Sequence, residues 1–171
     1  MTQLAKLFIP ITLFLLSSCG NNPDKEISYE GVYFKYPSYW KVETETSESG
    51  NIYIDASEKF ASEAIFLISV AQAEVEPQEM LGNFLETLSE NFDVEKEPAE
   101  SKRFGQYETS CIKYKASKLR EKAYGEAYAF NMEGKTILVV KQSNRDYDLK
   151  HDKYKLMENS LRISLPEDIN P

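Results

Sequence analysis

His151 is the only histidine in the chain, and it stands among three carboxylates in Asp146-Tyr147-Asp148-Leu149-Lys150-His151-Asp152. An imidazole beside carboxylates is a donor set that a metal ion uses. The spacing argues against one. A calcium loop counted from Asp146 meets Lys150 at its fifth position, and neither the central glycine nor the closing glutamate follows. Aspartates gathered at a helix start explain the same residues, because they cap free N–H groups and face the positive end of the helix dipole. No metal is therefore expected. Nucleophilic catalysis fares no better, since no Gly-x-Ser-x-Gly elbow accompanies the serines. Phosphate-cradling glycine loops, Cys-x-x-Cys and His-Glu-x-x-His are likewise missing from the sequence. Glu95, Glu97 and Glu100 cluster around Pro98 and read as a solvated loop between a helix and the next strand. The eleven tyrosines suit an aromatic groove for a sugar or a lipid tail, but strand and core packing accounts for them more simply. No catalytic residue and no cofactor are expected.

The best-defined chemistry belongs to Cys19. Lys6 supplies a positive start, Leu7 to Leu16 an apolar run, and Ser17 and Ser18 two small residues before the thiol. This is the layout of a cleavable export signal. Ten apolar residues span only about 15 Å as a helix, half of what a bilayer core needs, and Pro10 interrupts them. The segment Leu16-Ser17-Ser18-Cys19-Gly20 resembles the lipobox of bacterial lipoproteins. That resemblance implies cleavage between Ser18 and Cys19 and diacylglycerol on the Cys19 sulfur. It also implies a lipid-anchored place in the bacterial cell envelope. The absence of Asp after the cysteine tilts the expectation towards the outer membrane. One acyl chain holds marginally and two hold stably, so the membrane is the first expected partner.

Removing residues 1–18 from 171 leaves 153, enough for one domain with a real core. Only Lys6 of the basic residues is lost, so 19 basic residues then face 28 acidic ones, a net charge of −9. Such a polyanion does not favour nucleic acid or adhesion of its whole surface to anionic lipid. With Cys19 acylated, Cys111 is the remaining cysteine. It is expected to be a small packed residue of a strand.

The elements that must position these residues follow in order. Residues 19–26 read as the lipidated cysteine and a polar tether, 27–165 as one domain, and 166–171 as a loose tail. Aromatic alternation gives strand character to Ile27–Tyr36, which Pro37 ends, and another strand starts at Tyr39. Thr44–Asn51 reads as an exposed turn, Asn51–Ser57 as a strand, and Ala64–Ala71 as a buried central strand. Pro77–Asn91 is the clearest helix, with Met80, Leu81, Phe84, Leu85 and Leu88 on one stripe. Phe104-Gly105-Gln106 is a turn, and Tyr107–Leu119 and Ala123–Met132 alternate as strands. The second of these sets Tyr124, Tyr128, Phe130 and Met132 against Gly125, Ala127 and Ala129. The small-residue face predicts close helix packing. Glu133-Gly134 turns the chain into Thr136–Val140, and Asp146–Ser160 reads as a second helix with Tyr154, Met157 and Leu161 inward.

The run Gly31-Val32-Tyr33-Phe34-Lys35-Tyr36-Pro37-Ser38-Tyr39-Trp40 resembles the opening motif of PsbP-like domains. The Phe-Gly-Gln turn, the Gly134-Lys135 turn and the ending Ser160-Leu161-Arg162-Ile163 are similar in order. The resemblance spans roughly residues 29–163 and implies an α+β fold, a twisted antiparallel sheet flanked by helices as an α/β/α sandwich. It implies a binding or assembly role rather than catalysis, and Gly31, Tyr36, Pro37 and Trp40 as structural positions. The expected function is a membrane-anchored envelope accessory module that contacts another envelope protein. The rival is a carrier of a small lipid or sugar in an aromatic-lined cleft.

Overall fold

The computed structural model describes residues 23–58, 64–145, 148–149 and 151–165. The signal, Ser18, Cys19 and the 166–171 tail lie outside these residues. The large sheet contains β3 (Trp40–Thr46), β4 (Ile52–Glu58), β5 (Ala64–Ala71), β6 (Asp93–Lys96), β7 (Glu100–Phe104), β8 (Tyr107–Lys118), β9 (Glu121–Met132) and β10 (Lys135–Ser143). Its order is β3-β4-β5-β10-β9-β8-β6, with β7 also paired to β8, and all pairings are antiparallel. A small sheet joins β1 (Lys25–Tyr29), β2 (Val32–Tyr36) and β11 (Arg162–Ile163) in the order β1-β2-β11.

Alternation along the central strands divides the core by face. One face carries Phe66, Ile68, Cys111, Tyr128, Ile137 and Val139, which pack with α2 (Asp152–Ser160) through Tyr154 and Met157 and with Val32 and Phe34 of the small sheet. The opposite face carries Ile112, Tyr114, Ala127, Ala129, Leu138 and Val140 under α1 (Pro77–Ser89), whose Leu81 and Leu85 are buried. Ala127 and Ala129 are the small residues that let α1 lie close. The expected sandwich, with a helix on each face of an antiparallel sheet, is the observed one.

Gly125 serves the α1 face differently. A Cβ there would sit 2.1 Å from Tyr114 Cζ, so its bare backbone gives the Tyr114 ring room to lie across β9. That ring meets Phe84 of α1 edge-on at 5.6 Å, and its hydroxyl donates to Gln142 Oε1 at 2.8 Å. Gly31 turns β1 into β2 with φ +79°, and a Cβ would collide with the Ser164 carbonyl at 2.2 Å. The Ser164 N–H donates to the Gly31 carbonyl at 2.9 Å, which seals the C-terminal strand onto the small sheet. Pro37 sits in the turn after β2, and Trp40 is buried edge-on against Tyr154 at 5.9 Å.

Several boundaries differ from those expected. The first strand opens at Lys25 rather than Ile27, because Lys25 and Glu26 pair with Tyr36 and Lys35. Thr44–Thr46 continue β3 against Ile54–Ile52 instead of starting the turn. The acidic stretch around Pro98 is a loop only over residues 97–99: Glu95 lies in β6 and Glu100 in β7, which are laid end to end along β8. Its glutamates are nonetheless exposed. The second helix starts at Asp152, six residues later than expected. Before it the chain makes i→i+3 bonds, Asp148 N–H to Arg145 O and His151 N–H to Asp148 O, a tighter turn that an α-helix does not continue. Among the described residues, no helix is long and apolar enough to cross a membrane.

Candidate functional site

The most concentrated chemistry lies where the α2 face of the sheet carries charge. Register sets Glu126 of β9 directly opposite Lys141 of β10 and Lys113 of β8. Lys141 is buried. Its ammonium lies 3.0 Å from Glu126 Oε2 and 3.4 Å from Glu158 Oε2 of α2. The rings of Tyr128 and Phe104 flank it at 5.1 and 5.6 Å, a cation–π setting. Lys102 of β7 reaches Glu126 Oε1 at 2.9 Å, and the Tyr128 hydroxyl donates to Glu126 Oε2. Three strands, β7, β9 and β10, thus meet on one carboxylate, and α2 joins through Lys141.

The electrostatics follow from this crowding. Burial acts to raise the Glu126 pKa, but Lys141, the Tyr128 hydroxyl and Lys102 outweigh it and hold the carboxyl down at about 2. Burial first, then the hydrogen bond to Glu126, pushes the Tyr128 phenol well above its ordinary value. Cys111, opposite Tyr128, is buried, and burial raises its thiol to about 11 against the pull of Lys102. Glu126 stays ionised and Cys111 stays a thiol at neutral pH, so neither exchanges protons in that range. Cys111 packs in the core, as expected.

Above this network, a cavity of about 550 Å³ opens on the same face. Glu126 and Lys102 form its floor, Tyr124 and Leu149 border it, and Lys113 and Lys115 stand at its rim. Lys115 pairs with Glu95 at 2.9 Å and Lys113 with Glu97 at 3.7 Å. These are cross-strand pairs that stitch β6 and its continuation to β8. The lining has the charge to meet ionic groups, and the cavity's size is that of a ligand or side-chain pocket. The lining is thus chiefly Lys and Glu, unlike the aromatic-lined cleft of the rival carrier reading. Tyr128 and Tyr154 are instead buried in the core, and Tyr114, though it touches the cavity, packs its ring against Phe84 of α1.

The residues considered from sequence do not converge on this cavity. His151 is the exposed N-cap residue of α2. Among the described residues no group of three or more His, Cys, Asp and Glu is placed to hold a metal. Ser18 and Cys19 lie outside the described residues. Glu95 and Glu97 do reach the cavity rim. Glu126, Lys102 and Lys141 were hidden in sequence, because charges alternating along a strand look like a solvated face until a partner strand covers them. The one available signal was Lys141 directly after the apolar run Thr136–Val140.

No protein-family model matches the chain, and no curated protein does. Solved structures do. Cyanobacterial PsbP (CyanoP) from Synechocystis is 15% identical with a TM-score of 0.62, over 87% of this chain and 99% of that one. A crystal structure from Bacteroides thetaiotaomicron is 11% identical with a TM-score of 0.57, over 82% of this chain and 48% of that one. At such identities the likeness speaks for architecture. The chain has a PsbP-like α+β fold.

Proposed function

We propose that the chain is a lipid-anchored envelope protein whose PsbP-like domain is a binding and assembly module rather than an enzyme. The observation that carries the reading is the state of the charges at the cavity. Glu126 is pinned ionised between Lys141 and Lys102, and the rim lysines are engaged by Glu95 and Glu97. This equips the site to recognise a charged surface and not to shuttle protons. The export signal and Cys19 supply the anchor in this reading, and the β6–β8 side presents the docking face to a second envelope protein. Photocrosslinkers placed at Lys113 and Lys115 in intact cells should capture one reproducible protein, whereas one at Tyr53 of β4 should not. Capture of no common protein from the two rim positions contradicts the proposal. The carrier reading keeps one supporting observation, the cavity volume. Its ligand would be small and ionic, and native mass spectrometry of the purified chain would show it as added mass.

A further inference from the structure

Leu119 is fully exposed at the tip of the β8–β9 hairpin. It adopts φ +57°, a left-handed conformation that suits Gly or Asn and disfavours leucine. Folding alone gives no reason to keep an apolar side chain there, so its presence points to a role outside the fold. The neighbours are basic. Within residues 118–122, Lys118, Arg120 and Lys122 are exposed against Glu121, and the exposed Asp93 of β6 stands beside them opposite Ser117, in a chain whose overall charge is −8. Behind the tip, Phe92 lies under Lys118, whose ammonium is 5.7 Å from the ring centre. Phe92 and residues 118–121 together line a shallow, open hollow.

The placement of the tip in the sheet supplies the second half of the argument. Ser143, the last residue of β10, pairs with Tyr124, so residues 121–123 run on beyond β10, while on the other flank β6 follows β8 as far as the Asp93–Ser117 pair and only residues 118–121 project past it. The same sheet end holds Ala64, opposite Ser143, and Glu58, opposite Trp40. Lys25, where the first strand begins, pairs with Tyr36 only four residues before Trp40. The other end of β1 is tied to the far end of the large sheet by Tyr29 Oη and Thr46 Oγ1, 2.9 Å apart. The chain therefore enters the domain at the sheet end from which the hairpin projects. Cys19 precedes Lys25 by six residues, a reach of roughly 20 Å when extended.

We infer that the Lys118–Lys122 hairpin tip is a second membrane contact, with Leu119 seated among the lipids and Lys118, Arg120 and Lys122 on anionic headgroups. The inference rests on the lipid-anchor reading, which brings this sheet end to the bilayer. An anchor at one point leaves the domain free to swing. A second contact, four to five strand spacings or about 20 Å across the sheet, fixes its orientation and holds the charged cavity at a set angle to the surface. Each basic residue near an anionic surface strengthens attachment roughly fivefold, and salt weakens it.

The test uses the full-length chain isolated with its lipid and reconstituted into vesicles of phosphatidylcholine, with or without phosphatidylglycerol. A polarity-sensitive fluorophore is attached in turn to Leu119→Cys and to Glu133→Cys, which marks the opposite sheet end; buried Cys111 stays unlabelled. Expected is a blue shift and quenching by lipid-borne quencher at position 119 in the phosphatidylglycerol vesicles, reversed by high salt, with position 133 unchanged. Equal, water-like emission at both positions overturns the inference. Emission at 119 that stays water-like in vesicles but shifts in intact envelopes also overturns it, because the tip then meets protein. Intact mass reports the anchor separately. For a chain that carries no acyl mass, flotation of Cys19→Ser against Cys19→Ser with Lys118→Glu and Arg120→Glu judges the tip alone. A tip that binds lipid loses at least tenfold in flotation with both reversals, and equal flotation overturns it.

Discussion

Glu126 is the residue on which the charged region turns, and its titration gives a clear sign. In the unfolded chain its carboxyl titrates at the ordinary 4.5, and in the folded chain at about 2. The depressed value means that its contribution is fully present above pH 4.5 and is lost as pH falls towards 2. The shift corresponds to about 3 kcal/mol. Glu126→Gln should therefore destabilise the protein by about 3 kcal/mol at neutral pH, because Lys141 is left buried without its nearest partner. The same variant should lose much of the wild type's decline in stability between pH 4.5 and 2. Urea titrations across that range check both. An unchanged pH profile would show that the wild-type decline belongs to other carboxylates. None of this was legible in the local sequence around Glu126, where Gly125-Glu126-Ala127 gives no hint of a buried charge. Cys111 was legible, because an isolated thiol on an alternating strand has few roles besides packing.

At the scale of elements, the strongly patterned segments were read correctly and the weakly patterned ones were not. β5 and α1 declare themselves through an unbroken apolar run and a five-residue stripe, and the small face of β9 announced the helix above it. β6 and β7 carry little hydrophobicity of their own, only Val94 and Phe104, and exist because the long β8 offers a free edge to both. Pairing of that kind is set by the partner strand and not by local propensity. The late start of α2 has a similar cause, since Asp148, a residue suited to a helix start, serves a tight turn first, while Asp146 lies outside the described residues. Gly125→Ala tests how closely the α1 face is packed. The added methyl meets the Tyr114 ring, which Phe84 and Gln142 hold in place. A loss of about 2 kcal/mol is expected, read as a lower denaturant midpoint. Combining it with Tyr114→Leu should cost less than the two changes summed, since the collision is then relieved. Strict additivity would contradict the packing account.

Across the whole molecule, an acidic body with a basic hairpin and a charged cavity becomes intelligible when one end is held at a bilayer. The sequence's net charge of −8 discourages broad adhesion to anionic lipid, which is why the two attachments proposed above, acyl chains on Cys19 and the Lys118–Lys122 tip, are both local. The fold was legible from the aromatic run ending at Pro37 and Trp40, because those residues answer to packing that any chain of this architecture must satisfy. The charged cavity was not, because a lining of paired lysines and glutamates depends on register, and register is a property of strands together. The anchor is the premise beneath both functional proposals, and mass determines it. Native protein extracted from membranes should begin at Cys19, carry acyl mass on that residue and enter the detergent phase, while Cys19→Ser should lack that mass and stay in buffer. A native chain that begins at Met1, or one that lacks acyl mass and partitions with the buffer, would contradict the account.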